Sequence, residues 1–219
     1  MNSFAEENYL KAIFKLVNVD GNAASTNSIA EEMQTKAPSV TDMLKKLAQK
    51  KFIIHEKYQG VTLTSKGEKT ALNIIRKHRL WEMFLVEKLN FKWNEVHDVA
   101  EQLEHIQSDK LIDELDKLLG FPKADPHGDL IPDAQGKLPV QKSKPLSKFA
   151  LKEKCVMTGV SNHSNAFLTF LDEIKVGLGN TIAIQEIVTF DHSLKILVNN
   201  KHKVFISHEV AKNILAIQK

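Results

Sequence analysis

The chain has 219 residues, of which 42% are hydrophobic and 26% charged, which is typical of a folded protein with two or three compact units. Its single cysteine, Cys155, excludes an intrachain disulfide framework and a cysteine-based zinc site. No apolar run approaches the roughly 18 residues of a membrane span, and the acid-containing N-terminus is unlike a targeting peptide, so we expect a cytoplasmic protein.

The net charge is +3, but the basic and acidic residues are distributed unevenly along the chain. Residues 36–79 contain 11 Lys or Arg and 3 Asp or Glu, whereas residues 80–133 contain 13 acids and 5 bases. A basic segment followed by an acidic one indicates two partners of opposite charge, an anionic polymer and a cation. Solvated charges scattered over two surfaces are the alternative interpretation.

The first 65 residues predict three helices followed by a two-stranded hairpin. Apolar residues recur at helical spacing over residues 3–18, and "TNSIAEEM" predicts a short helix capped near Thr26 or Asn27. The next helix, "SVTDMLKKL", follows a turn of four residues. Two β-rich runs then flank Gln59-Gly60 and predict a hairpin. This order is that of a winged helix-turn-helix unit.

In a winged helix-turn-helix unit the second helix of the pair enters the major groove of double-stranded DNA. Lysines around that helix and on the wing would contact phosphates, and the first residues of the helix would meet bases or phosphates. The residues expected at this interface are Lys36, Pro38, Ser39, Thr41, Asp42, Lys45, Lys46, Lys57, Tyr58 and Gln59. Use of the same fold for protein contacts is the alternative.

The rest of the chain predicts helices first and strands later. Helical patterns cover about 66–89, 94–106 and a stretch from a Ser108 cap to near Gly120. Residues 121–139 hold four of the six prolines and predict an irregular loop. Short strands after residue 149 predict a small β-barrel that closes with a short helix.

One predicted helix carries histidines and glutamates at a regular spacing. In "VHDVAEQLEHIQSD", His97, Glu101, Glu104 and His105 are offset by i+4, i+7 and i+8 and share one helical face. His78 forms a similar i,i+4 pair with Glu82 on the preceding helix. Such pairs can reach one metal ion, but the solvated face of an amphipathic helix has the same pattern.

Five segments together resemble the diphtheria toxin repressor family of metal-dependent transcriptional regulators. They are "SVTDMLKKLAQKKFIIHEKYQGVTLTSKG", "RKHRLWEMFL", "VHDVAEQLEHIQSD", "DPHGDLIP" and the β-rich tail. The chain is most similar to the manganese transport regulators with a C-terminal SH3-like domain. The resemblance implies a mostly α fold with a small β part. Its implied domains are a winged helix-turn-helix at 1–65, a helical metal-binding and dimerisation domain at 66–140, a linker at 141–148 and an SH3-like β-barrel at 149–219.

The resemblance also implies one metal site that is built from two helices and a loop. The family's ligands are matched here by His78, Glu82 and His97, with Asp125, His127 and His163 as candidate additions. "DPHGDLIP" corresponds to a loop that supplies ligands in longer manganese-sensing relatives. A plain Pro/Gly turn is the alternative for that loop.

A second implied site combines Glu101, Glu104 and His105 with Asn8 of the first helix. Iron-sensing members have a cysteine at the position of Glu101 and a methionine from the first helix, so oxygen donors here favour Mn(II), with Fe(II) as the alternative. Some manganese regulators have an acid where this chain has Lys11. A cation there cannot be a ligand and would repel a metal, so we expect two separated sites.

We therefore predict a metal-dependent repressor, controlled by Mn(II), that binds a pseudo-palindromic operator as a homodimer and controls metal-ion uptake genes.

 The chain has no "HExxH", nucleophile or phosphate-loop motif, so we do not expect an enzyme. An Fe(II)-dependent repressor of the same family, a winged-helix regulator that responds to an organic ligand, and a metal-storage protein are the alternatives. No partner in a membrane is expected.

Overall fold

The computed structural model describes residues 2–56, 59–140 and 142–219, with the backbone alone for residues 19 and 20. Its helices are α1 Phe4–Asp20, α2 Thr26–Glu32, α3 Ala37–Gln49, α4 Ser65–Leu89, α5 His97–Leu103, α6 Asp109–Leu118, α7 Asn165–Glu173 and α8 His208–Asn213. Its strands are β1 Ile53–Glu56, β2 Gly60–Leu63, β3 Lys144–Pro145, β4 Lys154–Val160, β5 Thr181–Ile187, β6 Leu194–Val198, β7 His202–Ile206 and β8 Ile214–Gln218. Within these ranges, no helix combines the length and the apolar character needed to cross a membrane.

The chain forms two compact units, each assembled from separate stretches of sequence. The first unit contains the chain up to Trp81 together with Glu101–Lys117 and Pro132–Leu138. The second unit contains Glu82–Ala100, Leu118–Ile131 and Pro139–Lys219. Helix α4 therefore contributes residues to both units, and so does α5.

The first unit contains the predicted winged helix-turn-helix. Ser3 caps α1 in a reciprocal capping box with Glu6. Ser25, one residue before the predicted cap, accepts a hydrogen bond from the Ser28 N–H and begins α2. Strands β1 and β2 pair antiparallel as the wing. The core between these elements is apolar, and its fully buried members include Leu10, Ile13, Ile29, Val40, Leu44 and Leu47.

Helix α5 is shorter than the predicted 94–106 and spans only His97–Leu103. It ends in a turn in which the Ile106 N–H donates to the Leu103 carbonyl at 3.1 Å. The turn places Glu104, whose side chain is fully buried, among charged partners of the first unit. These contacts are with residues distant in sequence, so helical periodicity alone did not predict where α5 ends.

The second unit contains one antiparallel sheet with the strand order β3-β8-β4-β5-β6-β7. Its core is apolar, with Met157, Leu171 and Ile196 among the buried residues. The sequence predicted a closing helix, but α8 stops at Asn213 and the chain continues as β8, which pairs with β3 and β4. Sheet pairing provides hydrogen-bond partners for the backbone N–H and C=O groups of β8. This stabilisation outweighs the weak helical pattern of the segment.

Candidate metal centre and nucleic-acid interface

Three buried residues of the second unit, Glu82, Asp125 and His127, form a group that could hold a metal ion. Each offers one ligand atom, and these atoms all lie within 4.8 Å of one another. None of the three residues is more than 4% exposed. Two carboxylates and one imidazole form a donor set that suits a divalent ion such as Mn(II) or Fe(II), so the residues present fit a metal.

The loop "DPHGD" is an ordered turn that presents two of these ligands. Asp125 Oδ1 accepts hydrogen bonds from the backbone N–H groups of His127, at 2.8 Å, and Asp129, at 3.0 Å. Gly128 has φ +88°, and a Cβ there would lie 2.0 Å from the Thr158 carbonyl oxygen. Only glycine fits this close approach, which fixes the loop against β4.

The His127 ring is oriented by the backbone of Trp93. Its Nε2 lies 2.7 Å from the Trp93 carbonyl oxygen, which can only accept, so Nε2 carries the proton. Nδ1 then faces Glu82 Oε2 at 3.5 Å and is free to bind a metal in the neutral ring. Burial opposes charging of the ring, but the hydrogen bond to Glu82 and the charges of Glu82 and Asp125 outweigh burial and raise the pKa of His127.

Two further predicted ligands lie in the same unit beside this group. His97 Nδ1 lies 3.6 Å from Glu82 Oε1, with its side chain half exposed. The His163 ring lies 4.9 Å from the His127 ring, measured between centroids. Its Nε2 is buried and accepts or donates no hydrogen bond within the described part of the chain. Burial lowers the pKa of His163, which favours the neutral form that can bind a metal.

The second predicted group lies in the first unit, and a lysine occupies it. Lys11 Nζ donates to Glu101 Oε1 at 2.5 Å and to both Glu104 oxygens, at 2.8 and 2.9 Å. His78 Nδ1 lies 2.7 Å from Glu104 Oε2. His78, which the resemblance matched to Glu82 and His97, is thus a partner of Glu104 here.

A different residue of α1 holds His105. Glu7 Oε2 lies 2.6 Å from His105 Nδ1, and Gln107 Nε2 donates to Glu7 Oε1 at 2.9 Å. The sequence analysis named Asn8 as a candidate ligand and did not name its neighbour Glu7, which contacts His105 here. The buried Oδ1 of Asn8 has no hydrogen-bond partner among the residues that the structure describes. Glu7 is one of two acids in the first turn of α1, so the presence of an acid there does not single it out in the sequence.

Most of the predicted DNA-binding residues that the structure describes lie at the start or on the solvent side of α3, and Gln59 lies in the wing just before β2. Val40, Leu44 and Leu47 face the core, and Thr41 is half-buried. The exposed members of the predicted set are Lys36, Pro38, Ser39, Asp42, Lys45, Lys46 and Gln59. Lys57 and Tyr58 lie outside the described residues. Four exposed polar side chains lie at the start of α3 and in its first turns: Lys36, Ser39, Asp42 and Lys45. A polar helix face of this kind is suited to a DNA groove.

Two family models match the chain. The model described as "Iron dependent repressor, N-terminal DNA binding domain" matches residues 3–61, and "Iron dependent repressor, metal binding and dimerisation domain" matches residues 64–133. The HTH-type transcriptional regulator MntR of Bacillus subtilis is 32% identical over 125 residues, which are 57% of this chain and 87% of that protein.

Two more proteins illustrate the extent of the similarity. A probable metal transport system membrane protein of Chlamydia trachomatis is 46% identical over 71 residues, which are 32% of this chain and only 16% of that protein. A solved manganese-dependent transcriptional repressor in complex with manganese is 30% identical, with a TM-score of 0.89, and the match covers 97% of this chain and 99% of that chain. This chain therefore belongs to the diphtheria toxin repressor family, the iron-dependent repressors, and is of the manganese transport regulator type.

Proposed function

We propose that this protein is a metal-dependent, DNA-binding transcriptional repressor of metal-ion uptake genes. The observation that carries the proposal is the buried group of Glu82, Asp125 and His127 in a chain whose α3 exposes a polar face. Members of its family such as MntR of Bacillus subtilis are transcriptional regulators, and the role is regulatory rather than enzymatic. A repressor binds its operator on the DNA, so we propose that the protein works in the cytoplasm, where that DNA lies.

Mn(II) is the proposed activating ion, with Fe(II) as the alternative. Glu82, Asp125 and His127 would hold the ion, and His97 and His163 are candidate further ligands. Carboxylate oxygens with imidazole suit a hard divalent ion, and the solved manganese-dependent repressor is in complex with manganese. The bound ion would supply positive charge to a buried group that already holds two carboxylates.

The proposed DNA-bound form is a homodimer on a pseudo-palindromic operator. Two copies of α3 would enter successive major grooves, and a two-fold symmetric dimer requires matching half-sites. The family's second domain is a dimerisation domain. Exposed apolar side chains on α6, Leu111 and Leu118, supply a surface that dimer formation could bury. The proposed domain organisation is a winged helix-turn-helix at 1–65, a helical metal-binding and dimerisation domain at 66–140, a linker at 141–148 and an SH3-like β-barrel at 149–219.

Metal can control DNA binding only through a difference in affinity between two states of the protein. Binding of the ion lowers the free energy of the DNA-competent state to the extent that this state holds the ion more tightly. Within the site, Trp93 orients His127, and the backbone of the "DPHGD" loop holds Asp125. These residues are therefore preorganised for metal binding, and an ion could bind without a change in the loop conformation.

The test is a DNA-binding titration on promoters of the organism's own metal-transport genes. Chelated protein is compared with protein in Mn(II), in Fe(II) without oxygen and in Zn(II). We expect at least about tenfold tighter binding with Mn(II), a coupling within the range usual for allosteric effectors. Glu82→Gln should remove this gain, and Glu87→Gln, an exposed position on the same helix, should keep it. Equal binding with and without metal would refute the proposal and favour a regulator of another kind.

A further inference from the structure

A cavity of about 520 Å³ lies in the first unit, beside one face of α4. Lys69, Asn73 and Lys77 line it and are spaced by four residues, so they follow one another along that face. Residues of α6 and of the loop around Ala134 line it as well. All of the lining residues belong to the first unit, and none is a predicted metal ligand. Cavities of this volume are typical of small-molecule sites.

Lys77 is the lining residue whose surroundings require an anion. It is only 3% exposed, and its ammonium donates to the Ile106 carbonyl at 3.1 Å. An ammonium has three N–H groups, and within the described residues no carboxylate forms an ion pair with this one. Burial of a cation with one neutral partner is costly, because the charge loses its hydration without gaining an opposite charge. An anionic group in the cavity would supply that charge.

The carboxylates that line the cavity have other surroundings and do not neutralise Lys77. Glu7 contacts the ring of a histidine, and Asp133 accepts two backbone N–H groups of its own loop. Asp113 lies 3.6 Å from a guanidinium nitrogen of an arginine. Asp109 is exposed in the first turn of α6, where the helix dipole stabilises a negative charge. The buried ammonium therefore lacks a counter-charge from these four acids.

The cavity also has an apolar wall, which favours an organic ligand over a bare inorganic anion. Ile74 and Ile112 line the cavity and are each 2% exposed. An inorganic oxyanion would fill only a small part of the volume and would leave this wall without a contact. A ligand with a carbon skeleton would contact the wall, and the hydrophobic effect would then add to its binding.

We infer that this cavity binds a small organic acid whose acid group accepts hydrogen bonds from the Lys77 ammonium. The carbon skeleton lies against Ile74 and Ile112, and the Asn73 amide donates to a further oxygen. Lys69, which is exposed, adds a second positive charge on the same helical face. The acid is a carboxylic acid or a phosphate ester, because both present oxyanions to an ammonium. The site is separate from the proposed function, since it uses no predicted metal ligand or DNA-binding residue.

The experiment titrates the whole chain by calorimetry with succinate and, separately, with glycerol 3-phosphate. The buffer holds the ionic strength constant with chloride and contains no added metal, so that chelation of a metal by the ligand is not measured. We expect at least one of the two acids to bind at one site per chain, and the one that binds more tightly identifies the preferred acid group. Absence of saturable binding for both acids would overturn the inference.

Lys77→Gln removes the buried charge and should weaken binding by at least about tenfold, because hydrogen bonds between charged groups are the strong ones. Lys88→Gln, an exposed lysine of the same helix outside the cavity, is the matched control and should bind the acid as the wild-type protein does. A folded Lys77→Gln with wild-type affinity would overturn the inference.

Asn73→Trp tests the site without altering a charge or a buried side chain. Asn73 is exposed where it lines the cavity, so an indole can occupy the cavity while the core stays intact. We expect Asn73→Trp to lose measurable binding and Gln49→Trp, exposed and outside the cavity, to keep it. Circular dichroism checks that both variants fold, and a folded Asn73→Trp that retains affinity would overturn the inference. These titrations contain neither metal nor DNA, so their failure would leave the proposed repressor function standing.

Discussion

The Nε2 atom of His127 donates to the backbone oxygen of Trp93, 2.7 Å away, and this one contact decides which ring nitrogen faces Glu82. A backbone carbonyl cannot donate, so the tautomer with a proton on Nε2 is selected and Nδ1 is the free donor for a metal. A contact of this kind is typical of metal-binding histidines, whose second nitrogen is held by a carbonyl or carboxylate.

Replacing Gly128 should damage the metal centre without touching a ligand. A Cβ at this position would lie 2.0 Å from the Thr158 carbonyl oxygen, and φ is +88°. We expect Gly128→Ala to lower the free energy of unfolding by about 2 kcal/mol or more, because the backbone must shift. It should also weaken Mn(II) binding by about tenfold, which corresponds to about 1.4 kcal/mol.

Gly177→Ala is the matched control for this change. Among the described residues nothing lies within 4 Å of a Cβ built on Gly177. Denaturant unfolding and a Mn(II) titration of both variants check the prediction. Equal behaviour of the two variants would show that the "DPHGD" loop tolerates the displacement.

Removing a lysine of α3 should weaken DNA binding in a salt-dependent way. Lys46 is exposed in the last turn of α3. If it contacts a phosphate, Lys46→Ala should lower affinity for all DNA sequences and reduce the slope of log affinity against log salt by about 1. Lys201→Ala, an exposed lysine outside the winged helix, is the control and should leave the slope unchanged. An unaltered slope for Lys46→Ala would exclude this contact.

The Glu6–Lys50 ion pair should make stability depend on pH in the acid range. Lys50 Nζ donates to Glu6 Oε1 at 2.6 Å, and this hydrogen bond lowers the pKa of the buried Glu6 carboxyl from its usual 4.5. Because the folded pKa lies below the unfolded one, the stabilisation is complete above about pH 5 and is lost as the pH falls through the lowered pKa.

Glu6→Gln tests this dependence, since a glutamine oxygen can still accept the capping hydrogen bond from Ser3. We expect a loss of about 1 kcal/mol at pH 7, the upper range for a partly exposed ion pair, and a smaller difference from wild type near pH 3. Thermal unfolding measured at a series of pH values checks this. A difference that stays constant between pH 7 and pH 3 would contradict it.

The single cysteine should be unreactive in the native protein. Burial raises the pKa of the Cys155 thiol to about 11, and the side chain is fully buried, with Sγ donating to the Ile182 carbonyl at 3.6 Å. The reactive species is the thiolate, which is scarce at pH 8 for such a thiol. We expect no alkylation by iodoacetamide at pH 8 until denaturant is added, as measured by mass spectrometry. Stoichiometric labelling of the folded protein would contradict the prediction.

The winged helix-turn-helix could be predicted because its evidence is local. Apolar residues at helical spacing, serine and threonine near helix starts and a hairpin turn are properties of short segments. The ends of α5 and the identity of β8 could not be predicted in this way. Helix α5 ends at Leu103, just before Glu104 contacts Lys11 and His78, and β8 pairs with β4. All of these partners are distant in sequence.

For the candidate sites, the sequence by itself determined the residue types and, through the family resemblance, the positions of the ten candidate ligands. The tertiary structure alone decided their partners: Glu82 beside His127, Lys11 on Glu104 and Glu7 on His105. Glu7 and His105 are 98 residues apart, and helical spacing carries no information on which distant segments meet. Burial is the physical reason for these pairings, because a charged side chain that is removed from water is strongly destabilising unless an oppositely charged or hydrogen-bonding group lies next to it.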